Sequence, residues 1–211
     1  MLWKCDMKFI DFKEKLKDFD IFALADVRKI EAEFDFRRIN EWMAKGYIKK
    51  IRRGYYIFSD CSLNERELFL IANTIYRPSY ISLEMALSLY GLVPEAVYGI
   101  TSVTSQKTSQ FKTYLGVFTY KHLKPSLMFG YEFREHNKRR VLVAEIEKAL
   151  LDFLYLNPHI KDVKDFEGLR FNSGEFKAKA DIGRLKKYLD AFGVRALAAR
   201  VNRFLDYVNH A

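Results

Sequence analysis

Residues 44–58 read AKGYIKKIRRGYYIF. Four cations, Lys49, Lys50, Arg52 and Arg53, surround a single isoleucine, and Gly54 with two tyrosines follows. Like charges repel, so such a run either sits idle in water or faces an anion. The residues on either side decide between the two. Ahead of it, Asp35 reads as an N-cap and Gly46 as the glycine that ends a helix in the left-handed conformation. Between them lies FRRINEWMAK. At about 100° per residue, Phe36, Ile39, Trp42 and Met43 share one face, while Arg37, Glu41, Lys45 and, at the edge, Arg38 fall on the other. Behind Gly46, YIKKI and YYIF predict a β-hairpin with a turn at Arg52-Arg53-Gly54. Ile48 and Ile51 stand three apart, which predicts a bulge or a twisted ribbon.

Two amphipathic helices are predicted before this segment. One spans Met7 to Leu16 with Phe9, Phe12 and Leu16 on its apolar side; the other runs from about Phe22 to Ile30 with Leu24, Val27 and Ile30. Three helices followed by a hairpin is the order of a winged helix-turn-helix, in which the last helix enters the major groove of DNA and the wing reaches the backbone. On that reading Arg37, Arg38, Asn40 and Lys45 are the recognition-helix candidates, with Asn40 beside the apolar face. Arg pairs with guanine and Asn with adenine. Lys49, Lys50, Arg52 and Arg53 would neutralise phosphates, and Tyr55 or Tyr56 would offer its hydroxyl to one while the other packs beneath the wing. Glu41, four residues from both Arg37 and Lys45, reads as an intrahelical ion-pair partner.

The whole chain agrees with an anionic partner. Its 211 residues carry a formal net charge of +9 and a pI near 9.4, and the window Phe36–Tyr56 alone holds seven cations against Glu41. The excess is local to the segment quoted first. With 49% hydrophobic residues the chain has ample material for a core. Cys5 and Cys61 allow at most one bridge, which supports neither a disulfide framework nor a structural zinc site and points to a reducing cytoplasm. The N-terminus lacks an apolar signal region and no run approaches the roughly 18 residues of a membrane span, so the expectation is a soluble cytoplasmic protein with no membrane partner.

SDCSLNERE, residues 59–67, marks a domain boundary and divides the chain into 1–60 and 61–211. Ser62 or Asn64 would cap a helix through about Ile75, Pro78 would stop it, and a further helix is predicted from Ser82 to Tyr90. YGITSVTS, TYLGVFTYKHL, GYEFRE and RRVLVA, the last two joined by a turn at HNK, predict an antiparallel sheet. Helices are predicted at 145–156, 183–191 and 195–208. The fold class is α+β: a winged helix-turn-helix followed by a mixed domain with an antiparallel sheet and several helices.

VAEIEKALLDFL raises the one enzymatic alternative, since Glu145, Glu147, Lys148 and Asp152 could bind a hard cation and orient water, with Glu132 or Glu135 as a further acid. Glu145 and Glu147 lie two apart on a helix, about 200° around it, and so point to different faces. Caps and ion pairs beside an apolar stripe are the preferred reading. His122, His136, His159 and His210 show no ligand spacing, and neither a GxSxG elbow nor a Walker-type loop is present. No catalytic residue, metal or other cofactor is expected. Two further basic clusters, Lys138-Arg139-Arg140 and Lys177, Lys179, Arg184, Lys186 and Lys187, could extend a nucleic-acid surface, the C-terminal one toward RNA.

Four segments in order, GYIKKIRRGYYIF, PSYISLEMALSLYGLVPE, ITSVTSQKTSQF with LGVFTYKHL, and VAEIEKALLDFLYL, resemble the AbiE-type antitoxins of type IV toxin-antitoxin systems, over nearly the whole chain up to about Leu156. The resemblance implies a bacterial or archaeal phage-defence protein whose winged helix binds double-stranded operator DNA and represses its own operon. It also implies a C-terminal domain that neutralises a nucleotidyltransferase toxin encoded alongside, without a stable complex. The residues by themselves leave two other readings open: a metal-dependent nuclease targeted by the winged helix, and a protein-binding module with an incidental basic wing.

Overall fold

A computed structural model describes residues 7–94, 99–136 and 139–210, the side chains of His136 and Arg139 excepted. Cys5 and the last two residues of the HNK turn, Asn137 and Lys138, fall outside these. In the first part of the chain α1 (Phe9–Lys15), β1 (Phe22–Ala23), α2 (Leu24–Ile30), α3 (Arg37–Ala44), β2 (Ile48–Arg52) and β3 (Tyr55–Phe58) follow in the order of a winged helix. The predicted second helix therefore starts two residues late. Phe22 and Ala23 are extended and pair with Tyr56 and Tyr55, because the Phe22 ring packs against both Tyr56 and Phe58. The Asp26 carboxylate then accepts the Ala23 N–H at 2.9 Å and opens α2.

The N-cap of α3 is Phe36, one residue later than the Asp35 expected, while Gly46 closes the helix as predicted. Asp35 Oδ1 accepts the Arg37 N–H at 3.1 Å, satisfying one of the orphan donors of the first turn. At the other end Gly46 takes φ +75°, and the N–H groups of Tyr47 and Gly46 return to the carbonyls of Trp42 and Met43. This paired closure is the Schellman arrangement, and it turns the chain directly into β2.

Strand order β1-β3-β2 places β3 in the middle of a small antiparallel sheet, both of whose faces are covered. Tyr56 and Phe58 point into an aromatic core with Phe12, Phe22, Phe34, Ile39, Trp42 and Ile48. Ile57, with Ile21 and Ile51, points the other way into a second, larger core. The three-residue spacing of Ile48 and Ile51 is thus the signature of a strand buried on opposite faces by different cores, in keeping with the period of two. The predicted bulge is present as well: the register shifts between Lys50 and Arg52, so Lys50 lies opposite Tyr56 and Arg52 opposite Tyr55.

The remaining elements are α4 (Glu65–Ile75), β4 (Ser79–Ile81), α5 (Leu83–Leu89), β5 (Ile100–Thr104), β6 (Ser109–Thr113), β7 (Gly116–His122), a 3₁₀ turn at Pro125–Leu127, β8 (Tyr131–His136), β9 (Arg139–Ala144), α6 (Ile146–Leu156), α7 (Val163–Gly168), α8 (Ser173–Lys179), α9 (Ile182–Phe192) and α10 (Arg195–His210). Asn64 caps α4, and Glu67 answers with a 2.8 Å bond back to the Asn64 N–H. The six-stranded sheet, in order β6-β7-β5-β4-β9-β8, is mixed where an antiparallel one was expected. The hairpin β6–β7 folds back so that β7 lies beside β5 and parallel to it, and β9 returns parallel to β4. Helix α4 covers one face, where the Tyr120 hydroxyl donates to the Ala72 carbonyl at 2.7 Å; α6 covers the other, where the Tyr80 hydroxyl donates to Asp152 at 2.8 Å. Among the described residues no helix is long and apolar enough to cross a membrane.

Candidate nucleic-acid interface

Helix α3 divides as its sequence predicts. Ile39 and Trp42 are buried, Phe36 and Met43 pack partly against the same aromatic core, and Asn40, Glu41 and Lys45 are exposed. Arg37 is exposed too, but its guanidinium makes a two-pronged pair with Asp35, Nη2 to Oδ2 at 2.7 Å. To reach a base it would have to exchange that carboxylate for an acceptor on DNA. Arg38 is held more firmly: half-buried, it donates to the Met7 carbonyl at 3.0 Å and lies over the Trp42 ring. Its place is against Met7, ahead of α1, and the Trp42 ring, at the rim of the exposed face.

The four wing cations meet different fates. Lys50 and Arg53 are exposed, Arg53 at the turn that Gly54 closes with φ +84°. Lys49 is exposed but rests over the Tyr114 ring of the β6–β7 turn at 5.2 Å. Arg52 is turned away altogether. Its Nη1 donates to the Ile75 carbonyl at the end of α4, and its guanidinium lies 4.0 Å from the Phe111 ring and 5.2 Å from that of Tyr76. The bulge explains this: an extra residue in β2 re-aims Arg52 to the side of Ile51 instead of continuing the alternation. Tyr55 follows it, packed on the larger core, and Tyr56 is buried in the aromatic one. Arg52 and Tyr55, both expected at phosphates, instead tie the hairpin to α4, Tyr76 and Phe111 and the larger core in this structure.

Exposed without such anchoring are Asn40 on α3, Lys45 at its C-cap, and Lys50 and Arg53 on the hairpin, with Arg37 exposed but paired to Asp35. Sequence reading passed over two neighbours. Arg28, exposed near the end of α2, stands 4.9 Å over the Phe36 ring and so adds a cation at the start of α3, and Tyr47, 45% exposed, stacks on Phe9 where α3 gives way to β2. Their signal was their place on the polar side of the α2 pattern and immediately after Gly46.

The acidic segment of α6 has a different geometry. Glu147, Lys148 and Asp152 are all buried. The Lys148 ammonium donates to Asp152 Oδ1 and, at 2.9 Å, to the Tyr80 hydroxyl, and it lies over the rings of Phe129 and Phe192. Asp152 Oδ2 accepts from the hydroxyls of Tyr80 and Ser82 at 2.8 and 2.9 Å. Burial holds the Lys148 ammonium below the usual lysine range, against the opposing pull of Asp152, and pushes the Tyr80 hydroxyl well above its own. Glu145 and Glu147 were expected on different faces, yet both reach the Arg184 guanidinium, at 3.4 and 3.3 Å. Glu145 is the N-cap, with extended ψ of 159°, so the helical angle does not apply to it. Among the described residues no three His, Cys, Asp or Glu side chains come together as a metal-binding group.

The C-terminal basic cluster is likewise divided. Arg184 is spent on Glu145 and Glu147 and Lys179 on Glu175, leaving Lys177, Lys186 and Lys187 exposed. No protein-family model matches this chain, and no curated protein matches it.

Proposed function

We propose that this chain is a double-stranded-DNA-binding protein of the cytoplasm that reads its operator with α3 and grips the backbone with the wing. The observation that carries the reading is the division of α3 into a core face and an exposed face bearing Arg37 and Asn40, with Lys45 exposed at its C-cap and Lys50 and Arg53 exposed on the hairpin that follows. Asn40 and, once released from Asp35, Arg37 have the donor and acceptor patterns that discriminate adenine and guanine, while Lys45, Lys50 and Arg53 supply charge that phosphates match without regard to sequence. The four segments that resemble AbiE-type antitoxins extend the proposal: an autorepressor whose second domain neutralises a nucleotidyltransferase toxin without holding it in a stable complex.

The test is binding of the full chain to its own upstream DNA against a scrambled duplex, over a salt series, with a Lys50→Ala/Arg53→Ala variant. Arg52 is left intact because it holds the wing in place. The expected result is preference for the upstream duplex, lost affinity of the variant on both duplexes, and a slope of log affinity against log salt shallower by about 2, near 0.9 per phosphate contact. Absent binding on both duplexes removes the DNA reading, and equal binding on both removes the operator reading. Rescue of growth from the adjacent toxin by the chain carrying the same substitutions separates the antitoxin role from repression.

A further inference from the structure

Strand β8 forms one outer edge of the six-stranded sheet, and among the described residues no strand pairs with its far side. It presents a row of unpaired backbone groups and an aromatic side chain, Phe133, that is 61% exposed. Edge strands of this kind pair with a further strand unless something blocks them. Tyr131-Glu132-Phe133-Arg134-Glu135 contains neither proline nor a register shift against β9.

The strand's own sequence selects the occupant. In an antiparallel ladder the residues that present N–H and C=O groups to one side alternate, so two identical strands can pair only in registers that set a residue opposite its own copy. A register centred on Arg134 sets arginine against arginine, and one centred on Glu132 sets acid against acid. The register centred on Phe133 alone satisfies the charges. It sets Phe133 against the partner's Phe133, Glu132 against the partner's Arg134, and Arg134 against the partner's Glu132. Within the chain Glu132 and Arg134 already lie side by side, Nε to Oε1 at 2.8 Å, so the four charges would alternate in sign around the two-fold axis. On the opposite face Arg140, 5.4 Å from the Phe133 ring, would flank the paired rings.

We propose that β8 is a self-association surface for a second copy of this chain, joining two six-stranded sheets into one across an isologous two-fold axis. The edge used is the far one from β6, which is the strand that touches β2. The wing and α3 are left uncovered in each copy. The proposal does not rest on the DNA reading, and its test needs no DNA.

Sedimentation equilibrium of the full chain from the micromolar into the millimolar range should show a monomer–dimer equilibrium. Phe133→Asp and Arg134→Glu should each weaken it about tenfold or more, with thermal melts confirming that both variants fold. The register is tested by mixing. Arg134→Glu alone and Glu132→Arg alone each place like charges opposite one another, whereas a mixture of the two places opposite charges at both positions. Heterodimers that form in the mixture when neither variant pairs with itself establish the register. A chain that stays monomeric throughout, or a dimer indifferent to Phe133→Asp and Arg134→Glu, overturns the proposal.

Discussion

Helices α3 and α6 each carry three charged residues, Arg37, Arg38 and Glu41 in one and Glu147, Lys148 and Asp152 in the other. Helix α3 buries none of them and α6 buries all three. The difference lies in what covers each helix. The aromatic core meets α3 along a single stripe and leaves its other side to solvent. Helix α6 lies on the sheet through Tyr80 and is closed in by α5, α9 and α10, so its polar positions are interior whatever their chemistry. A charge in that setting must be matched inside: Lys148 and Asp152 by each other, Tyr80 and Ser82, and Glu147 by the Asp181 N–H at 2.6 Å and by Arg184. Charge on α3 stays at or near the surface, with Arg37 on the Asp35 carboxylate and Arg38 on the Met7 carbonyl. Charge on α6 is consumed.

The largest effect should come from breaking the interior set. Asp152→Ala leaves the Lys148 ammonium buried without its carboxylate and should lower the unfolding free energy by roughly 3–5 kcal/mol in urea titration. The double change Lys148→Met/Asp152→Leu should recover most of that loss, since two apolar side chains need no partners there, although the hydroxyls of Tyr80 and Ser82 lose their acceptor. A single-variant loss near zero would mean that water reaches Asp152, and the contrast between the two helices would collapse.

Arg52 is the member of the wing that behaves like α6. Arg52→Ala removes a charged donor from the Ile75 carbonyl and a cation from beside two rings, a loss of about 2 kcal/mol for a half-buried group. Amide exchange of β2 and β3 distinguishes local from global loosening: protection should fall first at Ile51 and Ile57, which face the second domain. Unchanged protection there would return Arg52 to the surface set.

Asp35→Ala tests the outer helix, where its carboxylate accepts the Arg37 N–H and holds the Arg37 guanidinium. The cost should be about 1 kcal/mol by thermal melt. Because the same change frees Arg37, it should leave DNA affinity equal or higher at low salt despite the lower stability. A drop in affinity at temperatures where the variant is fully folded would mean that Asp35 orders α3 for binding.

These contrasts also explain what the sequence could reveal. Caps, the closing glycine, the core stripe of α3 and the Gly54 turn are set by residues within a few positions of one another, and a local reading finds them. The direction of Arg52 depends on Phe111 and Ile75, which lie in distant parts of the chain. The stripe Ile146, Ala149, Leu150, Phe153 and Leu154 identified the core side of α6, but its period could not tell that α9 and α10 would enclose the remaining sides. The parallel pairs β4–β9 and β5–β7 were missed for a related reason: β4 has three residues and β6 alternates around polar ones, so neither announces a strand.

The smallest effect on stability belongs to Arg53, the immediate neighbour of Arg52. Exposed at the turn, it should melt within about 0.5 kcal/mol of the parent when changed to alanine. Yet its loss should reduce DNA affinity on every sequence and lower the salt slope by about 1, whereas Arg52→Ala should leave the slope intact and act through the position of the wing. Two adjacent arginines, identical in type, are then separated by a single register shift in β2, one assigned to the fold and one to the ligand. If both variants change the slope equally, the bulge does not partition them, and the wing must swing free of the second domain when DNA is bound.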